Sequence, residues 1–517
     1  MARSIGIDLG TTNSCVAVIE KGKPTVIHNR EGGRTTPSVV YFPREGEPVV
    51  GLPARRQAVI TPEETIYAVK RLMGRKLASP EVEALRRTLP YGVVGAPNGD
   101  AWVQVGARQL SPQEVSAYVL QALGRCAEDY LSVAVTEAVL AVPAYFTEAQ
   151  RQATKDAARI AGLEVRRLVN EPTAAALAYG VRQEGTSRVA VFDLGGGTFD
   201  ISILEVSDGV FEVLATHGDT FLGGEDTDRA FVEHMAAACK AQSGVDLLEN
   251  AVSLQRLREA AEQAKRELSV SLTTSINLPF VAIGPAGPVH FQSEDTPRSL
   301  LEALARPYLD RLEEPCRRAL ADARLSAADI DQVLLVGGMT RMPAVQAMAE
   351  RIFGRVASKG VNPDEAVALG AALQAGISSG EVEEQMLLDV TPHSLGVKVA
   401  GDRMSVVISR NTRLPARQTK VFQTHEDNQD FVMIEVFEGE SDRSDQNRRL
   451  GKFVLEGLPR GPKGQVHVHV SFTVDADGLL TVTANEAKSG RATSVRIHPS
   501  GGLERVEVER LATAHAK

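Results

Sequence analysis

The sequence predicts a molecule of two parts, an α/β region over residues 1–380 followed by an antiparallel β region. In the first part, strand-like apolar segments alternate with amphipathic helices. From Asp389 to about His498 the apolar residues instead recur at every second position, most clearly over residues 466–474. A third observation is an internal repeat in the α/β region, where a turn at residues 8–12 returns at residues 193–198.

The repeat predicts a phosphate-binding site. The segment IDLGTT at residues 7–12 and the segment FDLGGGT at residues 192–198 each combine an apolar strand, an aspartate at its end and a turn of small residues. Glycine adopts positive φ and lets backbone N–H groups face phosphate oxygens, while the aspartate can hold a divalent cation. Two such hairpins facing each other would grip a nucleoside triphosphate from both sides.

Composition limits the remaining classes of function. The 517 residues are 43% apolar, which suffices for the cores of several domains, and the net charge of −9 without a basic block disfavours nucleic acid as the main partner. No apolar run approaches membrane-spanning length and no leader precedes the first strand, so we expect no membrane anchor and a cytoplasmic location. The four cysteines form no CxxC pair, which disfavours a disulfide framework and a zinc site.

Capping signals place two helices in the α/β region. One is predicted to start at Ser111, with Pro112 at its first position and Glu114 as capping-box partner. Another is predicted to start at Thr147 with Gln150 as partner, and to stop at Gly162. A strand over residues 135–142 is expected to precede the second helix.

The rest of the chain gives coarser signals. We expect a charged helix over residues 255–268, a strand near residues 275–281, a buried strand over residues 332–336 and a helix of small residues from 362 to 375. An acidic stretch at residues 381–384 and the apolar segment MLLD at residues 386–389 read as a linker that docks against another surface. Residues 501–517 are expected to form one short helix.

Four motifs in this order carry a family resemblance: the doubled turn, the segment LVNEPTAAA at residues 168–176, the segment LVGG at residues 335–338 and the linker MLLD. Together they resemble the seventy-kilodalton heat-shock chaperones of the DnaK type, from Ile5 to about Leu503. The resemblance implies an actin-like, two-lobed ATPase domain over residues 1–380, a linker over 381–389, a β-sandwich peptide-binding domain over 390–498 and a short helical remnant of a lid over 499–517.

The resemblance also implies a nucleotide site. Asp8, Glu171 and Asp193 would surround Mg²⁺ through water, and Asp200 would help to hold K⁺. Catalysis would involve Lys70, Glu171, Asp193 and Thr198, with Lys70 orienting the attacking water and offsetting charge on the phosphoryl oxygens. The implied contacts to ATP or ADP are Asp8, Gly10, Thr11, Thr12, Gly195, Gly196 and Gly197 on the phosphate side, and Glu262, Lys265, Arg266, Ser269, Gly337, Gly338, Arg341 and Asp364 around the adenosine. By pattern alone, the helical face at residues 262–269 is equally well explained as a solvated charge stripe.

A second implied group couples the nucleotide to the peptide site. Pro143 and Arg151 would relay the nucleotide state, although Pro143 alone reads as an ordinary strand end. Arg167, Asn170 and Thr173 would lie where a J-domain cochaperone and the linker dock. Leu387, Leu388 and Asp389 would add a strand to the ATPase sheet when ATP is bound. A nucleotide-exchange factor of the GrpE type is the other implied partner, beside unfolded or extended polypeptides.

The implied peptide pocket accepts one aliphatic side chain of an extended polypeptide. Its walls would be Val397, Val399, Phe422, Val432 and Ile434, which by pattern alone are simply the inward faces of strands. Ala400 and His425 would arch over the peptide, in an arrangement that departs from the common bacterial pattern. Family members usually carry a longer helical lid than the residues up to Lys517 provide, so we expect weak, fast-exchanging peptide binding.

Three other functions share parts of these signals. An actin-fold kinase of sugars or small acids has the two phosphate hairpins, but no use for the β region. A filament-forming actin relative also lacks that region. A specialised family member, acting as a nucleotide-exchange partner or as an iron–sulfur scaffold chaperone, differs from a general chaperone mainly in its clients.

Overall fold

The computed structural model describes residues 4–180, 185–285, 287–358, 360–383, 385–486, 492–496 and 502–516. Of the predicted features, Glu384 in the acidic stretch, the boundary at residues 498–499 and the terminal Lys517 lie outside these residues. Within the described part, no helix combines the length and apolar content needed to cross a lipid bilayer. The four cysteines are buried and free.

Residues 4–180 form an α/β unit around a mixed sheet. Its strands are β1 Ser4–Asp8, β2 Asn13–Glu20, β3 Lys23–Val26, β4 Thr36–Pro37, β5 Val40–Tyr41, β6 Val49–Val50, β7 Thr65–Ile66, β8 Gly92–Gly95, β9 Ala101–Val105, β10 Arg108–Leu110, β11 Glu137–Val142 and β12 Glu164–Asn170. Its α-helices are α1 Leu52–Gln57, α2 Pro80–Arg86, α3 Pro112–Leu131, α4 Glu148–Ile160 and α5 Glu171–Tyr179. The main sheet has the order β12-β11-β1-β2-β3, with β4 paired to β2.

Residues 185–388 form a second unit of the same kind. Its strands are β13 Ser187–Leu194, β14 Phe199–Ser207, β15 Val210–Asp219, β16 Thr273–Gly284, β17 Gly287–Pro297, β18 Gln332–Val336 and β19 Met386–Leu388. Its α-helices are α6 Gly224–Ser243, α7 Ala251–Leu268, α8 Arg298–Leu309, α9 Glu313–Asp322, α10 Pro343–Phe353 and α11 Ala366–Ser379. The main sheet has the order β18-β13-β14-β15-β19, and β16 and β17 form a separate hairpin.

The two sheets repeat one topology. In each, a hairpin strand runs antiparallel to the next strand and parallel to a later one: β1 pairs with β2 and β11, and β13 pairs with β14 and β18. Helices α5 and α11 pack against each other between the units. Gly370 allows this contact, because a Cβ at that position would lie 1.7 Å from the carbonyl oxygen of Ala174. The sequence repeat is therefore also a structural repeat.

Residues 390–486 and 492–496 form two four-stranded antiparallel sheets, with one apolar core between them. The strands are β20 Leu395–Val399, β21 Arg403–Ile408, β22 Ala416–Gln423, β23 Phe431–Glu438, β24 Arg448–Glu456, β25 His467–Val474, β26 Leu480–Glu486 and β27 Ala492–Arg496. The sheets have the orders β21-β20-β23-β24 and β22-β25-β26-β27. The buried residues alternate along β25, as the period of two predicts.

The last described element, α12 Arg505–His515, packs on the first unit rather than on the β sheets. Val508 and Leu511 bury their side chains against Ala117 of α3 and Ile160 of α4. The chain before the helix is also fixed, since the backbone N–H of Gly502 donates to Asp100 at 2.5 Å. Tertiary contacts thus stabilise a helix that is too short to persist alone.

Most local predictions are confirmed. Helix α3 follows Ser111, whose side chain accepts the N–H of Glu114, and the full capping box of Thr147 and Gln150 precedes α4. Strand β18 has its predicted bounds. Helix α7 starts four residues before the predicted 255, because Asn250 caps it by accepting the N–H of Ser253. Strand β11 starts at Glu137 rather than at residue 135.

Candidate functional site: a cleft between two phosphate hairpins

A cavity of about 660 Å³ lies between the two α/β units. It is lined by both turns of the sequence repeat and by the start of helix α5, so that residues far apart in sequence face one space. The predicted site residues that line it are Asp8, Gly10, Thr11, Thr12, Lys70, Glu171, Asp193, Gly195, Gly196, Thr198, Glu262, Lys265, Arg266, Ser269, Gly337, Gly338, Arg341 and Asp364. Its volume is in the range of small-molecule sites.

The two hairpins interlock at the floor of the cleft. A Cβ at Gly196 would lie 2.0 Å from the hydroxyl of Thr12, and one at Gly197 would lie 2.6 Å from the hydroxyl of Thr11. Gly197, the one predicted phosphate residue that does not line the cavity, thus supports the threonine opposite. Only glycine permits this approach, which explains why the second turn carries three glycines where the first carries two threonines.

Lys70 lies at the centre of a group of carboxylates. Its ammonium donates to Glu171 at 2.8 Å and lies 5.5 Å from the ring centroid of Phe146. Burial disfavours the charge, but Glu171, Asp8 and Asp193 outweigh it and raise the pKa of Lys70. The lysine is therefore a fixed cation, held by Glu171 and directed into the cleft.

The aspartates of the repeat carry more negative charge than Lys70 neutralises. Burial, followed by the charge of Glu171, raises the pKa of Asp8 to about 7 and that of Asp193 well above its usual range. The same two causes raise the pKa of Asp200 to about 7, against a hydrogen bond from the backbone N–H of Tyr145. Such a cluster is stabilised by an added cation.

These oxygen donors fit a hard cation such as Mg²⁺. Among the residues that the structure describes, no three His, Cys, Asp or Glu side chains are grouped as a direct metal-binding set. A cation near Asp8 and Asp193 would accordingly keep water molecules and phosphate oxygens among its ligands, which is the usual coordination of protein-bound Mg²⁺.

The residues predicted to surround adenosine lie on helix α7 and in the segments before α10 and α11. Lys265 donates to Asp228 at 2.6 Å and to the carbonyl of Gly224 at 3.3 Å, and Arg266 pairs with Glu262 at 2.7 Å. Ser269 donates to the carbonyl of its own helix at Lys265. Across the cleft Arg341 pairs with Asp364 at 2.7 Å. Arg266 and Arg341 remain about half exposed, so their guanidinium planes are accessible for stacking on a base.

Sequence reasoning missed the ion pairs that join the two units around the cleft. Arg71 forms a buried pair with Asp226 at 2.5 Å, and Arg34 makes a bidentate pair with Glu365 at 2.7 and 2.6 Å. Arg55 pairs with Glu262 from the opposite unit. The partners are between 155 and 331 residues apart. No local pattern identifies such pairs, because the fold alone brings them together.

The linker strand joins the same sheet as the second hairpin. Strand β19 pairs in parallel with β15, with Leu387 opposite Phe211. Leu387 is buried in the core between the two units, and Thr173 donates to Asp389 at 3.4 Å. The predicted strand addition is therefore confirmed. Its dependence on ATP stays a prediction.

The predicted relay residues lie where the β-sandwich meets the first unit. Pro143 is buried directly after β11. Arg151 is buried as well, and its guanidinium donates to Asn170 at 2.7 Å and to the carbonyl of Asp477 in the β-sandwich at 3.5 Å. The carboxylate of Asp477 accepts the N–H of Leu168 at 2.9 Å and pairs with Lys155 at 2.7 Å. Asn170 and Thr173 are buried in this arrangement, while Arg167 is partly exposed.

A family model described as Hsp70 protein matches residues 4–517 of the chain. The chain belongs to the Hsp70 family. Members of this family are chaperones and ATPases that use nucleotide and Mg²⁺, and they bind unfolded polypeptides, J-domain cochaperones and exchange factors. The resemblance inferred from the four motifs is thereby confirmed over nearly the whole chain.

The predicted peptide residues of this Hsp70 protein comprise five apolar residues at the core of the β-sandwich and two exposed residues. Val397 and Ile434 are buried in the core of the β-sandwich, and Val399, Phe422 and Val432 pack against that core while remaining partly accessible. Ala400 and His425 are exposed, and His425 lies 3.3 Å from Glu426. The five apolar residues thus share one cluster.

Proposed function

We propose that this Hsp70 protein binds Mg-ATP between its two hairpins, hydrolyses it, and uses the nucleotide state to control the binding of extended polypeptides. One observation carries the proposal: linker strand β19 lies two strands from the hairpin β13–β14, in the same sheet. A nucleotide that closes the cleft changes the position of that sheet relative to the first unit, and the linker joins the sheet to the peptide-binding strands.

The geometry of the cleft supports the residue roles that the family resemblance implies. Backbone N–H groups of residues 10–12 and 195–197 would bind the phosphates, with Thr198 and Asp193 beside them. Lys70, fixed by Glu171, would orient the attacking water and stabilise negative charge on the phosphoryl oxygens. Mg²⁺, when bound, supplies charge neutralisation at the phosphates. Asp200, close to the same cluster, would help to hold K⁺.

The peptide site would take one aliphatic side chain against Val399, Phe422 and Val432, a burial that contributes about 1.5 to 3 kcal/mol. Main-chain hydrogen bonds to an extended strand would add affinity without sequence preference.

We propose that residues 1–380 form the ATPase domain, 381–389 the linker, 390–498 the peptide-binding domain and 499–517 the remnant of a lid. The J-domain cochaperone would approach near Arg167, the partly exposed member of its predicted set, and the cytoplasmic location stays a prediction.

The test is ATP turnover of the chain with and without an unstructured, leucine-rich peptide. Stimulation by the peptide supports a chaperone cycle. Stimulation by a sugar or a small acid would instead support a kinase, and ATP-dependent sedimentation as polymer would support a filament protein. Binding selective for a single peptide in an array would indicate a specialised family member.

A further inference from the structure

The contact between the β-sandwich and the second α/β unit centres on one carboxylate. Asp322, at the end of α9, accepts two hydrogen bonds of 2.8 Å from Arg410 and one of 2.8 Å from Asn411, both in the loop after β21. The side-chain oxygen of Asn411 accepts the backbone N–H of Thr216 in β15 at 3.2 Å. These bonds join the two parts of the chain beside the linker strand.

The same carboxylate has a third partner, the buried imidazole of His217. His217 of β15 is 5% exposed, and its Nε2 lies 2.8 Å from the Oδ2 atom of Asp322 that also accepts from Arg410 and Asn411. The hydrogen bonds from Arg410 and His217 outweigh the effect of burial and lower the pKa of Asp322 to about 2. Because Asp322 stays ionised, the neutral imidazole donates its N–H to it.

The ring of Tyr145 lies beside His217 and also beside the ring of His393. Tyr145, in the loop after β11, has its centroid 5.9 Å from that of His217 and 4.3 Å from that of His393, which lies between β19 and β20. The buried Nε2 of His393 has no hydrogen-bond partner in the described structure. The backbone N–H of Tyr145 donates to Asp200, whose carboxylate interacts with Glu171 of the cleft, at 2.8 Å. His217 thus lies beside Arg410 of the β-sandwich and beside Tyr145, which itself contacts Asp200 and His393.

The charged groups around His217 come from every side of the contact. Asp322 and Arg318 lie on α9, Arg410 comes from the β-sandwich, and Glu440 lies beyond Arg410 at 3.3 Å. Burial, acting with Arg410 and Arg318 against the favourable Asp322, lowers the pKa of His217 from its ordinary 6.5. Undocking removes Arg410 and part of the burial but leaves Asp322 in place, so the undocked protein holds a proton on His217 more strongly.

We propose that His217 makes the docking of the β-sandwich onto the ATPase domain proton-sensitive, so that acidification below about neutral pH releases the docked state. The sign follows from linkage. The docked state binds fewer protons at His217 than the undocked state, so docking is strongest above the ordinary pKa of 6.5 and weakens as the pH falls below it. Asp389 has the opposite effect at lower pH. Burial in the docked state raises the pKa of its carboxyl group, so protonation of Asp389 favours docking. The inference rests on the proposed nucleotide-dependent docking.

Hydrogen exchange of the full chain with ATP tests the proposal. The amides of residues 386–388 are protected in strand β19 only while the linker is docked, and their protection factors are corrected for the intrinsic pH dependence of exchange. Between about pH 7.5 and about pH 5.5 we expect protection in the wild type to fall by up to about tenfold, which is the limit for one titrating group of pKa 6.5. The variant His217→Gln, which keeps an N–H donor for Asp322 but cannot titrate, should lose most of this dependence.

The matched control is His234→Gln, because His234 is an exposed histidine on α6 away from the contact. It should retain the wild-type pH dependence. An equal dependence in His217→Gln and in the wild type would overturn the proposal, as would a wild type without any dependence. Linker protection that does not respond to ATP at about pH 7.5 would instead contradict the proposed function.

Nuclear magnetic resonance titration of His217 in the wild type gives a second measurement that needs no variant at this position. We expect a lower pKa for its imidazole with ATP than with ADP, because ATP favours the docked state. An equal or higher pKa with ATP would contradict the proposal even if His217→Gln failed to fold.

Discussion

The cleft between the two hairpins and the contact between the α/β units and the β-sandwich both contain carboxylates that are at least partly buried, but their charges are balanced differently. In the cleft, burial and the charge of Glu171 raise the pKa of Asp8 to about 7, and Lys70 is the nearby cation. In the contact, hydrogen bonds from Arg410 and His217 lower the pKa of Asp322 to about 2, despite its partial burial. The first region needs a ligand to balance its charge, whereas the second is balanced by the chain itself.

This difference in charge balance distinguishes a ligand-binding site from a contact between two domains of the same chain. Carboxylates that raise each other's pKa favour the binding of an added cation, and they remain without enough counter-charge until one binds. Carboxylates matched by guanidinium groups stabilise one arrangement of two surfaces. Removing one partner from the contact therefore leaves the others partly buried without their counter-charge. The following predictions test the two regions separately.

The largest effect is expected from the double substitution Leu387→Asp with Leu388→Asp, which breaks the contact and leaves the cleft intact. Leu387 is 7% exposed, and a buried carboxylate without a partner is strongly unfavourable. We expect β19 to leave the sheet, so that added peptide no longer stimulates ATP turnover. Nucleotide affinity should change little. Met386→Asp is the control, because Met386 is 53% exposed in the same strand. Normal stimulation of the double variant would contradict the role of the linker.

A second large effect is expected in the cleft, from Lys70→Ala. Removing this fixed cation should slow single-turnover hydrolysis by about 10²-fold or more, since groups that stabilise developing charge contribute on that scale. Nucleotide affinity should remain largely unchanged, and the linker should still dock. Lys240→Ala, at an exposed lysine of α6, is the matched control. Undiminished single-turnover hydrolysis in Lys70→Ala would refute the catalytic role.

A smaller effect is expected from Asp322→Asn. The neutral amide cannot accept all the hydrogen bonds that Arg410, Asn411 and His217 donate to the carboxylate. We expect the docking equilibrium to weaken by about tenfold to a hundredfold, in line with the loss of one member of a partly buried charge network. Hydrogen exchange of the linker amides, measured in the presence of ATP, reports this change. Asp310→Asn, at a more exposed aspartate, should leave docking unchanged.

The smallest effect is expected from Arg159→Ala. Arg159 pairs with Glu509 of α12 at 3.2 Å, but their side chains are 60% and 47% exposed. Exposed ion pairs contribute about 0 to 1 kcal/mol, so the attachment of α12 should weaken by no more than about fivefold. Lys155→Ala should have the larger effect on docking of the β-sandwich, because the pair of Lys155 with Asp477 is more buried. The opposite order would show that burial does not set the strength of these contacts.

The sequence predicted the parts of the molecule that local chemistry specifies. The doubled aspartate–glycine turn predicted two facing hairpins, and the apolar linker predicted a docked segment, because each signal lies within a few consecutive residues. The family resemblance added that the linker docks as a strand. The start of α3 followed from Ser111 and Pro112. The earlier start of α7 was also readable, since Asn250 is a good capping residue that the charged pattern downstream obscured.

The long-range pairs could not be predicted in this way. Arg71 and Asp226 are 155 residues apart, and Asp322 meets Arg410 across 88 residues and His217 across 105. Each of these residues reads in sequence as an ordinary charged or polar position. Their pairing depends on how the two units and the β-sandwich meet, which no periodicity or spacing encodes. The interlock of Gly196 with Thr12 has the same origin, although the glycines themselves indicated a close approach.

The most direct test of the account is the exchange rate of the linker amides in Lys70→Ala with ATP and with ADP, because this variant is expected to hold ATP without hydrolysing it. If the cleft controls the contact, the amides of residues 386–388 exchange at least about tenfold more slowly with ATP than with ADP. Equal rates with the two nucleotides, at concentrations where calorimetry shows both bound, would contradict the coupling of the cleft to the β-sandwich.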